Sequence, residues 1–419
     1  MRKFSQLAET LIPSEIVKLG GIIREKINQG QEIFNYTIGD FDAALFPIPK
    51  QLEEDIIQAY REGFTTYPPA DGDLDLRKAV SAFIHRSEGI DFAPDEVLIA
   101  AGGRPLIYTL YRAIVDKGDR VVYPVPSWNN NHYVHFNEGE HVCIEARPEN
   151  NFMPSLPELK PLLKEAVLLS LCSPLNPTGT VFKKEDLKGI CDLVIAENET
   201  RPPGAKKLYM MYDQIYWTLT FGETKHHNPV TLEPKMKDYT IFIDGISKAF
   251  AATGVRVGWA LGPADVIAKM KGINSHVGAW APMAEQKAVA KFLNDAPSLQ
   301  RFLDSFKDEV AYRLNNIYHG FRQLKSEGYS VDAIEPQAAI YLTIRIDLKG
   351  KQKPDGTKLN NQEAVTDYIL NEAQLAIVPF HAFGAGEDSP WYRMSVGTCK
   401  KEEIPTMMEK LRVALKKLT

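Results

Sequence analysis

Between about residues 95 and 263 the chain alternates short, continuous apolar runs with longer stretches in which apolar positions recur every three or four residues. The runs are EVLIAAG, RVVYPVP, HVCIEARP, AVLLSLCSP, KLYMMYDQIY, TIFIDGIS and RVGWALGP. Runs of this length with little alternation predict strands buried on both faces. The stretch RPLIYTLYRAIVDKGD, with Leu106, Ile107, Leu110, Tyr111 and Ile114 on one face, predicts an amphipathic helix between the first two runs. Strands spaced by helices imply an α/β architecture, with a mainly parallel seven-stranded sheet covered by helices on both faces. Such sheets bind ligands at the carboxyl ends of their strands, so the residues that close each run are the first candidates for chemistry.

The flanks follow other patterns. EIVKLGGIIREKINQ near the N-terminus has helical spacing and gives way to the irregular, proline-containing GDFDAALFPIP. After about residue 285, long charged amphipathic helices lead into the apolar runs IYLTIRIDL, LAIVPFHAF and WYRMSVG, the order expected of an α+β module. The lysine-rich KGKQKPDGTK, 349–358, predicts a solvated hairpin or loop. The predicted organisation is an N-terminal segment, 1–50, that joins a smaller domain; a large domain, 51–290; and a small C-terminal domain, 291–419. A chain of 419 residues is long enough for two such cores.

Composition narrows the function. With 44% hydrophobic and 25% charged residues the chain has the make-up of a globular protein, and its net charge of −5 gives no basic surplus to attract nucleic acid or anionic membrane. A small-molecule partner is expected. Cys143, Cys172, Cys191 and Cys399 are far apart with no paired Cys/His spacing, so reduced thiols and a cytoplasmic setting are expected, and no metal site.

The stretch DGISKAFAATGVRVGW places Lys248 behind a run, where a strand should pass into a short helix with Ser247 as its N-cap and Gly254 as its C-cap. By itself this reads as a capped helix with a solvated amine. The small Ala249, Ala251 and Ala252 leave room for a bulky neighbour, and Arg256, on what reads as the next strand, offers a fork for an anion. SPLNPTGTVF carries Asn176 in a turn stiffened by prolines, and YDQIYWTL carries Asp213 and, three residues on, Tyr216. A carboxylate at the end of an apolar run needs a cationic partner, either a salt bridge or a protonated heterocycle. In AAGGRPLIYTL two glycines open a helix whose free amides suit a single phosphate. Trp128 follows the next run, as core packing or as a cover for a flat ring.

These elements, together with YPPADGDLDLRKAV and YRMSVGT, fall in the order and at the spacing found in one family. The chain resembles the fold type I pyridoxal-phosphate-dependent aminotransferases of classes I and II, in their aspartate aminotransferase-like branch. The resemblance covers nearly the whole chain, and SPLNPTG and SKAFAATGVRVGW are its most specific parts. It implies pyridoxal 5'-phosphate held as a Schiff base on Lys248, with Asp213 on the pyridinium nitrogen and Asn176 and Tyr216 on the phenolic oxygen. It implies Trp128 stacked on the ring and Gly103, Arg104, Ser247 and Arg256 around the phosphate. Tyr67 would reach that phosphate from the other subunit of a homodimer. Arg393, helped by the backbone of Gly39, would take the substrate α-carboxylate. The implied reaction moves an amino group between an α-amino acid, aspartate first among candidates, and a 2-oxo acid by a ping-pong route. A C–S β-lyase on the same scaffold and, further off, a non-catalytic ligand-binding or regulatory protein are the alternatives.

The chain departs from the family pattern at named places. Gly245 stands where many relatives have a serine, which would remove one hydroxyl from the phosphate set. Ser127 replaces a common tyrosine before Trp128, Met-Ser-Val-Gly follows Arg393, and VPFHAFG replaces the usual glycine-containing turn. For a distal substrate carboxylate the candidates are Arg24 and the polar run Asn129–Asn131.

Overall fold

The computed structural model describes residues 3–13 and 15–419. The seven apolar runs become seven strands of one sheet: β1 (Val97–Ala100), β2 (Arg120–Val125), β3 (Glu140–Glu145), β4 (Ala166–Cys172), β5 (Tyr209–Asp213), β6 (Thr240–Gly245) and β7 (Gly258–Leu261). Their spatial order is β1-β7-β6-β5-β4-β2-β3. β7 runs antiparallel to β1 and β6, and the other pairings are parallel. Every residue of β1 and β6 is buried, whereas the edge strand β3 alternates towards solvent, which accounts for the polar residues in its run.

Both faces are covered. Leu106, Leu110 and Tyr111 of helix Gly103–Ile114 pack with Ile267 and Met270 of helix Ala264–Val277 against Val121 and Tyr123. On the other face helices Leu74–Glu88, Lys184–Thr200 and Met283–Asn294 contribute Val80, Phe83, Ile190, Val194, Val289 and Phe292 to a larger apolar cluster. Burying apolar stripes of this size is the dominant favourable term for such a fold, at roughly 25 cal/mol per Å² of apolar surface.

A second, antiparallel sheet has the order β10-β11-β9-β8, from β8 (Val331–Ala333), β9 (Tyr341–Ile346), β10 (Val378–Pro379) and β11 (Trp391–Ser395). Helices Ala296–Ser326 and Glu403–Lys416 pack on it through Val310, Leu314, Ile317, Met407 and Leu411. The N-terminal segment joins this part of the molecule: Phe34–Asn35 pairs with Leu375–Ala376, and Tyr36 and Phe46 enter the same cluster. Helix Ala296–Ser326 belongs to both cores, with Leu299 and Leu303 in the first and Phe306 onwards in the second. Within 349–358 an antiparallel bridge joins Gln352 to Lys358, a hairpin-like turn. Among the described residues no helix is long and apolar enough to cross a membrane.

Candidate active site

The carboxyl ends of β1, β4, β5 and β6 and the amino end of antiparallel β7 lie at one edge of the sheet. They open into a cleft of about 600 Å³ whose lining includes Gly39, Gly103, Arg104, Trp128, Asn176, Asp213, Tyr216, Ser247, Lys248, Arg256 and Arg393. The volume suits a cofactor with a small substrate. Of the residues singled out from the sequence, Tyr67 in the implied site set is missing from this lining, as are Arg24, Asn129 and Asn131 among the distal candidates.

Lys248 lies in a one-turn helix, Ile246–Ala249, which begins earlier than the sequence suggests. Gly245 takes the N-cap position and Phe250 the C-cap, so Ser247 is buried inside the turn and Gly254 lies in the following loop. The cap assignments are thereby corrected, because β6 runs straight into the helix with no intervening turn residue. Lys248 Nζ donates to the Gly39 carbonyl at 2.7 Å. Burial pulls its amine down to about 8; Asp40 opposes the shift, and Arg393, Arg104 and Arg256 add to it.

The missing serine at 245 is explained by space. A Cβ there would stand 2.7 Å from Gly258 Cα and 2.8 Å from the Val257 carbonyl, so β6 and β7 approach too closely for any side chain. At the phosphate end, Arg256 sits in the loop before β7 rather than on the strand, and donates to the carbonyls of Thr253 at 2.6 Å and Ala101 at 2.8 Å. Gly102 makes this possible: with φ +89°, it passes so close to Arg256 that a Cβ would lie 2.4 Å from Nη2. Gly102 is the N-cap of the 12-residue helix Gly103–Ile114, whose first two residues, Gly103 and Arg104, line the cleft, and the first amides of a helix have no partner within it. The Arg104 guanidinium lies 5.6 Å from the centre of the Trp128 ring.

Asp213 closes β5, half-buried, and its Oδ1 accepts from Ile215 N at 3.1 Å. Burial raises its carboxyl to about 6, and no ion pair among the described residues includes it. Tyr216 is buried and its hydroxyl lies 2.6 Å from that of Tyr341; burial holds both as neutral phenols.

Arg393, on β11, is only 2% exposed. Its Nη1 donates to Asn176 Oδ1 at 3.0 Å, its Nη2 to the Thr37 carbonyl at 2.6 Å, and its Nε has no partner among the described residues. The guanidinium carbon lies 4.7 Å from the Tyr341 ring and 4.9 Å from that of Phe383, between two aromatic faces. Tyr341, Thr37 and Phe383 escaped the sequence reading. Two of them stand in quoted runs, Tyr341 in IYLTIRIDL and Phe383 in VPFHAFG, and Thr37 in none.

Arg24 is exposed and outside the lining. Asn131 is exposed, whereas Asn130 lines the cleft, its side chain accepting from Tyr111 and Ser170 and donating to Ser127. Tyr67 is 85% exposed and stacks edge-on against Trp280, away from its own chain's cleft.

The cleft thus carries a lysine of lowered proton affinity, a carboxylate lacking a cation, two neutral phenols, and cations at both ends. These groups match pyridoxal phosphate in kind: donors and free amides for a phosphate, an acceptor for a protonated ring nitrogen, and an amine for its aldehyde.

The family model "Aminotransferase class I and II" matches residues 31–411. An aspartate aminotransferase of Geobacillus stearothermophilus is 28% identical over 98% of each chain. A bifunctional aspartate and glutamate/aspartate-prephenate aminotransferase of Petunia hybrida is 30% identical, covering 89% of this chain and 75% of that one. The crystal structure of the Rhizobium meliloti aspartate aminotransferase superposes with a TM-score of 0.91 over all of both chains at 25% identity. The match spans both sheets and every strand end described above, and the chain belongs to the class I and II aminotransferases.

Proposed function

We propose that this aminotransferase moves the amino group of an α-amino acid, with aspartate as the leading substrate, to a 2-oxo acid in two half-reactions, with pyridoxal 5'-phosphate held on Lys248. The observation that carries the reading is the placing of Lys248 between two arginine ends, Arg256 and Arg393, with Asp213 and Tyr216 beside it. Gly103, Arg104, Ser247 and Arg256 would hold the phosphate, Trp128 would cover the ring, and Asp213 would bind the ring nitrogen. Asn176 and Tyr216 would hold the phenolic oxygen. Because Asn176 Oδ1 already accepts from Arg393, its Nδ2 is the atom left to donate there. When bound, the cofactor supplies the electron sink that makes loss of the Cα proton feasible.

The remaining work falls to the chain. Arg393 grips the substrate α-carboxylate with its planar fork, already oriented by Asn176, Thr37 and two aromatic rings. Lys248 Nζ accepts the Cα proton and passes it on, a task favoured by a proton affinity near the working pH. The exposed Tyr67 would complete the phosphate site of a second subunit in a homodimer. Four unpaired cysteines suit a reducing, cytoplasmic setting.

The test is a single half-reaction. Enzyme loaded with pyridoxal phosphate and mixed with aspartate alone should yield one equivalent of oxaloacetate and leave the cofactor as pyridoxamine phosphate. No oxaloacetate from aspartate, together with release of a thiol, pyruvate and ammonia from a β-thioether amino acid and an unchanged cofactor, would reject transamination as the main activity. Conversion with other amino acids but not aspartate would reject the substrate and keep the chemistry.

A further inference from the structure

The turn after β5 faces two ways. Asp213 and Tyr216 line the cleft, while Gln214 and Trp217 make their hydrogen bonds with carboxylates beneath it. Gln214 Nε2 donates to Glu88 Oε1 at 2.9 Å, and the other Glu88 oxygen accepts from Asn228 Nδ2 at 2.9 Å. Trp217 Nε1 donates to Asp244 Oδ2 at 2.8 Å. Asp244 lies on β6, four residues before Lys248, and its Oδ1 accepts from Gly245 N at 2.7 Å.

Asp244 is an expensive residue in this place. It is 1% exposed, no ion pair among the described residues includes it, and burial pushes its carboxyl well above the usual carboxylate range. A well-packed apolar residue would avoid that cost. The sheet ladder ties the two segments only as far as Asp213 opposite Ile243, with Gln214 N donating to the Ile243 carbonyl. Beyond it the chains part, one towards Tyr216 and the other towards Lys248. Among the described residues, the Trp217–Asp244 bond is the side-chain hydrogen bond that joins them again.

We propose that Trp217 and Asp244 are positioning residues: their hydrogen bond fixes the turn that presents Asp213 and Tyr216 relative to the strand end that presents Lys248. The inference rests on the cofactor site proposed above. Trp217 is steadied for this task by Phe83, at 5.4 Å between ring centres, and His226, at 6.3 Å.

The test compares Trp217→Phe, Asp244→Asn and the double variant, each reconstituted with pyridoxal phosphate. Trp217→Phe removes the donor with little change of shape. Asp244→Asn keeps one acceptor oxygen but turns an amide donor towards either Trp217 N–H or Gly245 N–H. Each single variant should lower kcat about tenfold, the size of one buried hydrogen bond, with KM for the amino acid within about twofold. Each should also shift the visible absorbance band of the bound cofactor. The double variant should be no worse than the poorer single one, because both remove the same contact. Full kcat with an unshifted band in Trp217→Phe, or losses that multiply in the double variant, would overturn the proposal. Borohydride reduction of the wild type separates the layers. If it does not fix the cofactor on Lys248, the site reading fails and takes the proposal with it; if it does, the variants judge the hydrogen bond alone.

Discussion

Arg256 and Arg393 both face the cleft that holds Lys248, yet the chain supports them by different means. Arg256 is half-buried and donates to two carbonyls, one only three residues away and one at the glycine-rich start of a helix. Its setting is local backbone, stiff because a strand end and a helix start meet there. Arg393 is buried and held by side chains and backbone from four distant segments: Thr37, Asn176, Tyr341 and Phe383. Thr37, Tyr341 and Phe383 belong to the part of the molecule that carries Arg393, and Asn176 reaches it from beyond the end of β4 in the large sheet. The end assigned to the cofactor is thus built into the large sheet, and the end assigned to the substrate into the second sheet and the N-terminal segment, with Asn176 as its link to the large sheet.

Supported so differently, the two arginines should fail differently. Arg393→Leu should lower kcat/KM for the amino acid by roughly a hundredfold or more, since the loss includes a charged bidentate contact and leaves Asn176 and Thr37 without their donor, while affinity for pyridoxal phosphate stays within about twofold. Arg256→Leu should weaken pyridoxal phosphate binding by roughly thirtyfold, with kcat restored at saturating cofactor. If instead Arg256→Leu raised KM for the amino acid and left cofactor binding intact, the assignment of the two ends would be reversed. Both are read by steady-state kinetics and fluorescence titration of the apoenzyme.

Smaller effects sharpen the same contrast. Gly245→Ser, which would restore the family hydroxyl, should lower stability by about 1–3 kcal/mol through overpacking and improve cofactor binding not at all, as read by thermal unfolding and titration. Tyr341→Phe keeps the ring beneath Arg393 and removes only the hydroxyl bonded to Tyr216, so kcat should fall by about three- to tenfold with KM little changed. Capture of pyridoxal phosphate by the apoenzyme should depend on pH. The neutral amine is the reactive form, so below about 8 the capture rate should fall nearly tenfold per pH unit, and above it level off. Removing Arg256 should move that break upwards, because one of the cations depressing Lys248 is gone; stopped-flow absorbance reads both.

The local half of this contrast is also the half that was legible in the sequence. The seven strands coincide with the seven apolar runs, β3 with an alternating one, and Asp213, Asn176, Lys248 and Arg256 stand at or just beyond the ends of such runs. Strand direction was less legible: β7 turns back because only a one-turn helix lies between it and β6, too little for the usual parallel crossover. The capping prediction failed for a related reason, since a serine before a lysine looks the same whether the helix starts before or after it. Arg393's surroundings could not be read, because Thr37 lies 356 residues away in sequence and no local pattern records the contact. Of the polar run Asn129–Asn131, Asn130 lines the cleft, with its side chain bonded to Tyr111, Ser170 and Ser127, contacts between distant residues that the run itself does not record.

Every role assigned in the cleft depends on Lys248 being the residue that holds the cofactor. Protein loaded with pyridoxal 5'-phosphate, reduced with borohydride, digested and examined by mass spectrometry should carry the phosphopyridoxyl group on the peptide containing Lys248, and Lys248→Ala should lose both label and transamination. Label at another lysine with turnover intact in Lys248→Ala would contradict it.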